Sequence, residues 1–268
     1  MRSSSNPAFR NLPTGGGYGG YAGFGQPEQA GYQQAPPPLT SERPMTIDDV
    51  VTKTGITLAV VAATAVVTYL MQAWFLLFPA AIIGLVLALI ITFKRNPSPP
   101  LVIAYAAVEG IFLGAFSGII GGVIDNMTRT PGQGVVVIGQ AIIGTIGVFA
   151  GMLVVYKTGA VRVTPKFTKW ITGALIGVGV LMLFNLIMSF FTDGGLGLRN
   201  GGALAIIFSL VCIGLAAFSF LIDFDAADQA IRAGVPAKFA WQIAFGLTVT
   251  LVWLYTEILR LLSYFNSD

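Results

Sequence analysis

The sequence lacks histidine altogether and contains a single cysteine, Cys212. Without histidine, the chain has no Ser-His-Asp or Cys-His catalytic arrangement, no histidine-ligated haem and few of the ligand sets that bind zinc. A lone cysteine excludes a disulfide within the chain. The glycine-rich loop of P-loop nucleotide-driven proteins is also missing. From these absences we expect no enzymatic activity and no bound cofactor.

Charged residues are scarce as well, at 10 % of the chain, whereas hydrophobic residues make up 55 % and the mean hydropathy is +0.78. A soluble domain typically carries about 25 % charged residues, so this chain cannot cover a surface that faces water. The net charge of +3 does not indicate nucleic-acid binding, because the basic residues lie in short loops between apolar runs. The composition therefore predicts a multi-pass protein of the lipid bilayer that binds no nucleic acid.

The apolar runs predict an all-α bundle of seven transmembrane helices, since each pass needs about 20 residues. Residues 54–93, for example, contain no charged side chain and have room for two passes. Residues 1–44 are rich in glycine, tyrosine and proline and have too little to bury, so we expect a disordered tail ahead of a transmembrane domain over residues 45–268. The helices are expected near residues 56–73, 76–93, 101–124, 135–156, 170–191, 203–222 and 241–263.

The basic residues predict which end of the bundle faces the cytoplasm. With the N-terminus inside, most of the 15 Lys and Arg residues fall on the cytoplasmic side. The exceptions are Arg129, Arg199 and Arg260. Because cytoplasmic loops are enriched in positive charge, we expect a cytoplasmic N-terminus, an outer C-terminus and a location in the plasma membrane.

Glycines recur at four-residue spacing in the third apolar run, at Gly110, Gly114, Gly118 and Gly122. This spacing places them in a row on one helix face. Helices in lipid approach each other closely through small residues. We therefore interpret this glycine ridge as a helix-packing surface rather than a ligand site.

Two glutamates lie inside apolar runs, where an ionised side chain costs about 2.5–3.5 kcal/mol near the helix centre. Glu109 is expected near the middle of the third helix, either as a functional carboxylate or as a neutral carboxyl hydrogen-bonded inside the bundle. Glu257 shares a helix face with Arg260, three residues later. It either pairs with Arg260 or is left for another partner, if the arginine extends towards the outer surface.

Three aspartates, Asp223, Asp225 and Asp228, are expected where the sixth helix leaves the membrane. Negative charge at a helix C-terminus opposes the helix dipole, so a protein-borne or metal cation is needed there. Lys94 and Arg95 are predicted on the same side of the membrane. Asp223 and Asp225 are also candidate Ca2+ ligands, although their spacing does not match a 12-residue EF-hand loop.

Several stretches resemble the Bax-inhibitor-like family, the transmembrane BAX inhibitor motif proteins. They include residues 108–114 with a glutamate–glycine pair, residues 221–225 at the acidic end of the sixth helix, and residues 258–262. Residues 5–12 and 45–55 are similar to the bacterial branch with a long Gly/Tyr/Pro tail. The resemblance implies six helices around the seventh. It also implies either a pH-sensitive calcium leak or the binding of a membrane-protein partner such as a protease.

In the leak members, an aspartate at the end of the sixth helix pairs with one in the seventh, and a basic residue before the third helix contacts the first aspartate. The resemblance places the first aspartate at Asp223 or Asp225. It places the basic residue at Lys94 or Arg95.

The second carboxylate position has two candidates. Alignment on the terminal Leu259-Arg260 places Thr250 there. Glu257 takes the position only if the loop after the sixth helix is longer.

Our leading hypothesis is a passive pathway for Ca2+ or H+ that is gated by protonation. Two close carboxylates cannot both ionise cheaply, so one takes up a proton, releases the basic residue and shifts the bundle between closed and open states. The alternative is a non-transporting regulator that binds another membrane protein, with the tail as a tether. Neither hypothesis predicts an oligomeric state. The expected pathway residues are Asp223, Asp225, Glu257, Glu109, Arg95 and Lys94.

Overall fold

The computed structural model describes residues 43–94, 98–192 and 194–266 and contains seven long helices. All seven are long and apolar enough to cross a membrane, which confirms the predicted all-α seven-helix fold. The tail predicted over residues 1–44 lies outside the described residues except for its last two positions. The helices are α1 (Ile47–Leu70), α2 (Leu77–Phe93), α3 (Pro99–Thr128), α4 (Gln133–Thr158), α5 (Pro165–Met188), α6 (Ala203–Arg232) and α7 (Ala240–Phe265).

Successive helices run in opposite directions, so the bundle has two ends. We call the end where α1 begins and α6 finishes the near end, and the end where α1 and α7 finish the far end. At the near end, the amide of Met45 donates to the carbonyl of Val235 at 2.8 Å, and the amide of Ala237 donates to the carbonyl of Arg43 at 2.9 Å. The first described residues are therefore tied to the turn between α6 and α7.

Helix α7 is the core of the bundle. Helices α1, α3, α4 and α6 pack against it, and its side chains are mostly buried, including Ile243, Leu254 and Leu259. Helix α2 packs mainly on α3, and α5 mainly on α6. The resemblance implied six helices around the seventh; in the structure, α1, α3, α4 and α6 make the main contacts with α7.

Helix α1 begins nearer the N-terminus than the expected position around residue 56. Thr46 caps it in a capping box: its hydroxyl accepts from the Asp49 amide, and the Asp49 carboxylate accepts from the Thr46 amide at 3.0 Å. These reciprocal bonds satisfy amides that would otherwise lack partners at the helix start. Residues 47–55, which the charge pattern left outside the helix, therefore form its first turns.

We predict that Thr46→Ala lowers the free energy of unfolding by about 1 kcal/mol, because it removes the hydroxyl of the N-cap. Titration of the purified protein with a denaturing detergent measures this loss. Thr52→Ala is the control, since Thr52 is exposed further along the same helix. Equal stability of the two variants would contradict the capping role.

Helix α6 continues to Arg232 instead of ending near residue 222. Asp225 and Asp228 both have partners four residues later on the same helix. The Gln229 amide donates to Asp225 at 2.6 Å, and Arg232 pairs with Asp228 at 2.8 Å. The acidic stretch is therefore helical, and the basic residue that offsets the helix dipole is Arg232 in the last turn.

Three of the four ridge glycines of α3 make close contacts: Gly110 and Gly114 with α1, and Gly118 with the turn between α1 and α2. A Cβ added at Gly110 would overlap the Val61 carbonyl oxygen, and one at Gly114 would overlap the Ala65 carbonyl oxygen. At Gly118 it would overlap the ring of Trp74. A Cβ at Gly122 meets nothing within 4 Å, so the packing role expected for Gly122 is not found, because the ridge extends beyond the end of α1.

Candidate functional site

Asp223 lies in the interior of the bundle between α6 and α7. Only 3 % of the residue is exposed, and its carboxylate accepts a hydrogen bond from the Thr250 hydroxyl at 2.8 Å. Since α6 continues nine residues past Asp223, the carboxylate lies roughly 13 Å from the near end of that helix. Asp223 therefore lies inside the bundle, and α6 does not end there as the sequence analysis expected.

Asp225 points away from Asp223. Two residues turn an α-helix through about 200°, so the two side chains leave opposite sides of α6. Asp225 is half-buried and bonds to Gln229 on its own helix. Among the residues that the structure describes, no group of three or more Asp, Glu, Cys or His side chains can hold a metal ion. Asp223 and Asp225 therefore do not face one common site, because α6 continues as a helix where a loop was expected; a Ca2+ ion bound by either of them stays a prediction.

Glu257 lies on nearly the same face of α7 as Thr250 but two turns, or roughly 10 Å, closer to the far end. It is 1 % exposed, and its two carboxylate oxygens each accept from the Arg199 guanidinium at 2.8 Å. Arg260, the partner that the sequence suggested, is more distant at 3.5 Å. Of the two candidates for the position opposite Asp223, the structure therefore places Thr250 there.

Arg199 reaches Glu257 from the loop between α5 and α6. Its guanidinium lies over the Phe208 ring at 5.1 Å and donates to the Met182 sulfur at 3.7 Å. Burial lowers the pKa of Arg199, but the hydrogen bonds and the charge of Glu257 raise this pKa by more. The net shift is upward, so the guanidinium stays charged.

Sequence reasoning used Arg199 only as a topology marker and missed its contact with Glu257. The two residues are 58 positions apart, so helical spacing gives no signal for the pair. The available signal was indirect: a carboxylate inside an apolar helix needs a cation, and Arg199 lies at the same end of the bundle.

Glu109 lies at the interface of α3 with α2. Its carboxyl lies near the Tyr105 side chain, one turn earlier on α3. A Cβ added at Gly84 of α2 would be 2.8 Å from its Oε1 atom. These contacts place Glu109 between α2 and α3, apart from the Asp223–Thr250 hydrogen bond.

The basic residues that were expected to contact the first aspartate are only partly described. Lys94 is exposed directly after α2, at the near end. Arg95 lies outside the described residues. The structure thus gives the position of one of the two candidates, at the surface of the bundle.

Gln242 is another buried polar residue of α7, at the near end. It is 1 % exposed, and neither of its amide atoms has a hydrogen-bond partner among the described residues. Buried polar groups are almost always hydrogen-bonded, to protein or to ordered water. The central helix therefore carries buried polar side chains along much of its length, among them Gln242, Thr250 and Glu257.

A family model described as Bax inhibitor 1 like matches residues 6–267. The match includes all seven helices and most of the segment ahead of α1. No curated protein matches the chain.

Proposed function

The chain belongs to the Bax inhibitor 1 like family, and from this premise we propose that it lets cations pass down their gradient through the membrane. The observation that carries the proposal is the buried carboxylate of Asp223, which is hydrogen-bonded to Thr250 between α6 and the central helix. Burying an ionisable group in a membrane bundle is costly and usually marks a route for ions or protons. No chemical reaction is part of the proposed activity.

The route follows the buried side of α7. Gln242, Thr250 and Glu257 lie on this helix at successive depths, and Asp223 faces the middle level. A carboxylate in a low-dielectric interior attracts a cation more strongly than it would in water. We take Ca2+ as the cation to test, because the family resemblance implies a calcium leak.

Protonation remains part of the proposal, with Asp223 as the group that takes up the proton. Glu257 is ion-paired with Arg199 at 2.8 Å and lies about two helical turns away. Asp223 and Glu257 therefore do not form a close carboxylate pair that could share a proton, and the proposed gating depends on Asp223 alone. A proton on Asp223 removes the negative charge that attracts a cation to the middle of the bundle.

The near end is proposed to face the cytoplasm, because most of the basic residues belong to that side. The far end then carries the exceptions, Arg129, Arg199 and Arg260. This orientation, together with a location in the plasma membrane, follows from the loop charges. The orientation can be measured by labelling cysteines in intact cells. A cysteine introduced near Arg129 should react from outside, and one introduced near Lys166 should not.

The transport proposal predicts that Asp223→Asn reduces Ca2+ flux at least tenfold, to the level of protein-free vesicles. The measurement is the leak from Ca2+-loaded proteoliposomes between pH 5.5 and 8. Asp225→Asn is the matched control: it removes the same charge two residues away, from the other side of α6. The control should keep both the wild-type flux and its pH dependence.

Two results would contradict the transport proposal. Wild-type protein that leaks no faster than empty vesicles at every pH excludes a passive pathway. Equal losses in Asp223→Asn and Asp225→Asn show that the flux depends on the surface charge of α6 rather than on the buried carboxylate.

A second candidate function is the binding of another membrane protein, and the position of α5 favours it. This helix packs mainly on α6 and leaves large apolar side chains such as Ile176, Val180 and Phe184 exposed. Such a regulator requires the exposed face of α5 but not the carboxylates. Crosslinking from α5 that returns one stoichiometric partner, from wild type and from Asp223→Asn alike, would favour this function over transport.

A further inference from the structure

The far end of the bundle contains three largely buried charged side chains, one more than a single ion pair has. Arg199, Glu257 and Arg260, which we call the far-end charge cluster, place two guanidinium groups on one carboxylate. Glu257 is almost fully buried, and both arginine side chains are largely covered, at 21 % and 23 % exposure. Within the part of the chain that the structure describes, the far-end charge cluster therefore has one more positive than negative charge, in a low-dielectric setting.

The loop between α5 and α6 is held inward so that Arg199 reaches the centre. The amide of Leu196 donates to the Asn185 side chain at 2.9 Å, and Leu198 is buried with Val178 and Phe208. Gly195 has a φ of +62°, and a Cβ there would be 2.6 Å from the Asn185 carbonyl oxygen. Arg199 thus joins the loop, α5, α6 and the central helix at one point.

The far-end charge cluster lies in line with the proposed route. Glu257 and Thr250 are seven residues apart on α7, so they share a face, and the cluster lies roughly 10 Å beyond the level of Asp223. A cation that leaves Asp223 for the far end meets a guanidinium fixed by two hydrogen bonds of 2.8 Å. Electrostatic repulsion and the volume of the side chain both oppose its passage.

Stability alone is a poor reason for this arrangement. Replacing a buried ion pair by apolar side chains of similar size is often neutral or stabilising, because two charges must be desolvated. An isolated pair would also need one arginine, not two.

We propose that Arg199, held on Glu257, is the residue that closes the far end of the cation pathway. This inference rests on the proposed function and adds a second point of control, at a loop residue, to the protonation of the buried aspartate. Movement of Arg199 away from Glu257 opens the far end and leaves the Asp223 level unchanged.

The lone cysteine of the chain provides a reporter that does not depend on transport. Cys212 is fully buried on α6, one turn from Phe208, and lies within electrostatic reach of Arg199, Glu257 and Arg260. In lipid nanodiscs, we expect a membrane-impermeant cationic methanethiosulfonate to modify Cys212 at least tenfold faster in Arg199→Gln than in wild type. Vesicle Ca2+ flux should rise in parallel.

Three comparison variants make the test specific. Arg129→Gln removes an exposed arginine at the same end of the bundle and should match wild type. The charge swap of Arg199→Glu with Glu257→Arg restores the pair and should return both rates towards wild type. If Arg199→Gln loses its cooperative thermal transition, Arg199→Lys replaces it in the test. Lysine keeps the charge but makes fewer hydrogen bonds to Glu257, so the rate of Cys212 modification should lie between those of wild type and a fully open variant.

The outcomes separate this inference from the transport proposal. Cys212 modification that is no faster in the Arg199 variants than in Arg129→Gln overturns the closure by Arg199, whatever the flux. Faster modification without flux from any variant supports closure of the far end and contradicts transport. Faster modification and faster flux, both lowered again by the charge swap, support the inference.

Discussion

Gly110→Ala is expected to lower the free energy of unfolding by about 2–3 kcal/mol, because a packed contact cannot accept an extra methyl group without displacement. The added Cβ would overlap both the Thr64 hydroxyl and the Val61 carbonyl oxygen of α1. A backbone oxygen cannot rotate away as a side chain can, so α1 and α3 must move apart. This contact joins two helices that also pack on α7, so the separation weakens the core.

Gly122→Ala is the matched control, on the same helix and at the same spacing. Nothing lies within 4 Å of a Cβ there, and alanine is a better helix former than glycine by up to about 1 kcal/mol. The two variants should therefore change stability in opposite directions in detergent-denaturation titrations. Similar losses at both positions would show that the close approach of α1 to Gly110 does not hold the bundle together.

Thr250→Asp is expected to make the stability of the protein depend on pH. It places a second carboxylate within hydrogen-bonding distance of Asp223, at a position where the wild-type hydroxyl lies 2.8 Å away. Two carboxylates this close cannot both be ionised at low cost, so the folded variant holds one proton that the unfolded chain releases.

The sign of the pH effect follows from proton counting. Where the folded state binds one more proton than the unfolded state, stability falls by about 1.4 kcal/mol for each unit of rising pH. Thr250→Asp should thus be most stable near pH 5 and lose stability towards pH 8. Thr250→Asn, which has the same size and no charge, should follow the wild-type profile in thermal unfolding. The same pH dependence of stability in Thr250→Asp and Thr250→Asn would show that the side chains at positions 250 and 223 do not face each other.

The number of helices could be predicted from the sequence because the bilayer fixes the length of each apolar run. Helix ends were harder to predict, since charge was taken to mark the membrane surface. At Asp48 and Asp49 the charged residues form the first turn of α1, and at Asp225 and Asp228 they lie in the last turns of α6. Local partners within the helix made both extensions possible.

The candidate site was only partly predictable, for a geometric reason. Alignment on the chain end placed Thr250 opposite the first aspartate, and the structure places it against Asp223. Asp223 and Asp225 leave opposite sides of α6. The sequence analysis could not predict this, because it ended the helix near residue 222. The contact of Arg199 with Glu257 depends on how a glycine-rich loop folds back, and no local pattern encodes this fold.

The backbone bonds between residues 43–45 and 235–237 have a mechanical consequence. They join the point where the described chain begins to the turn between α6 and α7, and Lys53 adds a bond to the Ala237 carbonyl. Tension applied to the preceding segment is therefore transmitted to the last turns of α6 and the start of the central helix. A molecule that binds that segment can therefore exert a force on α6 and α7, the two helices between which Asp223 lies.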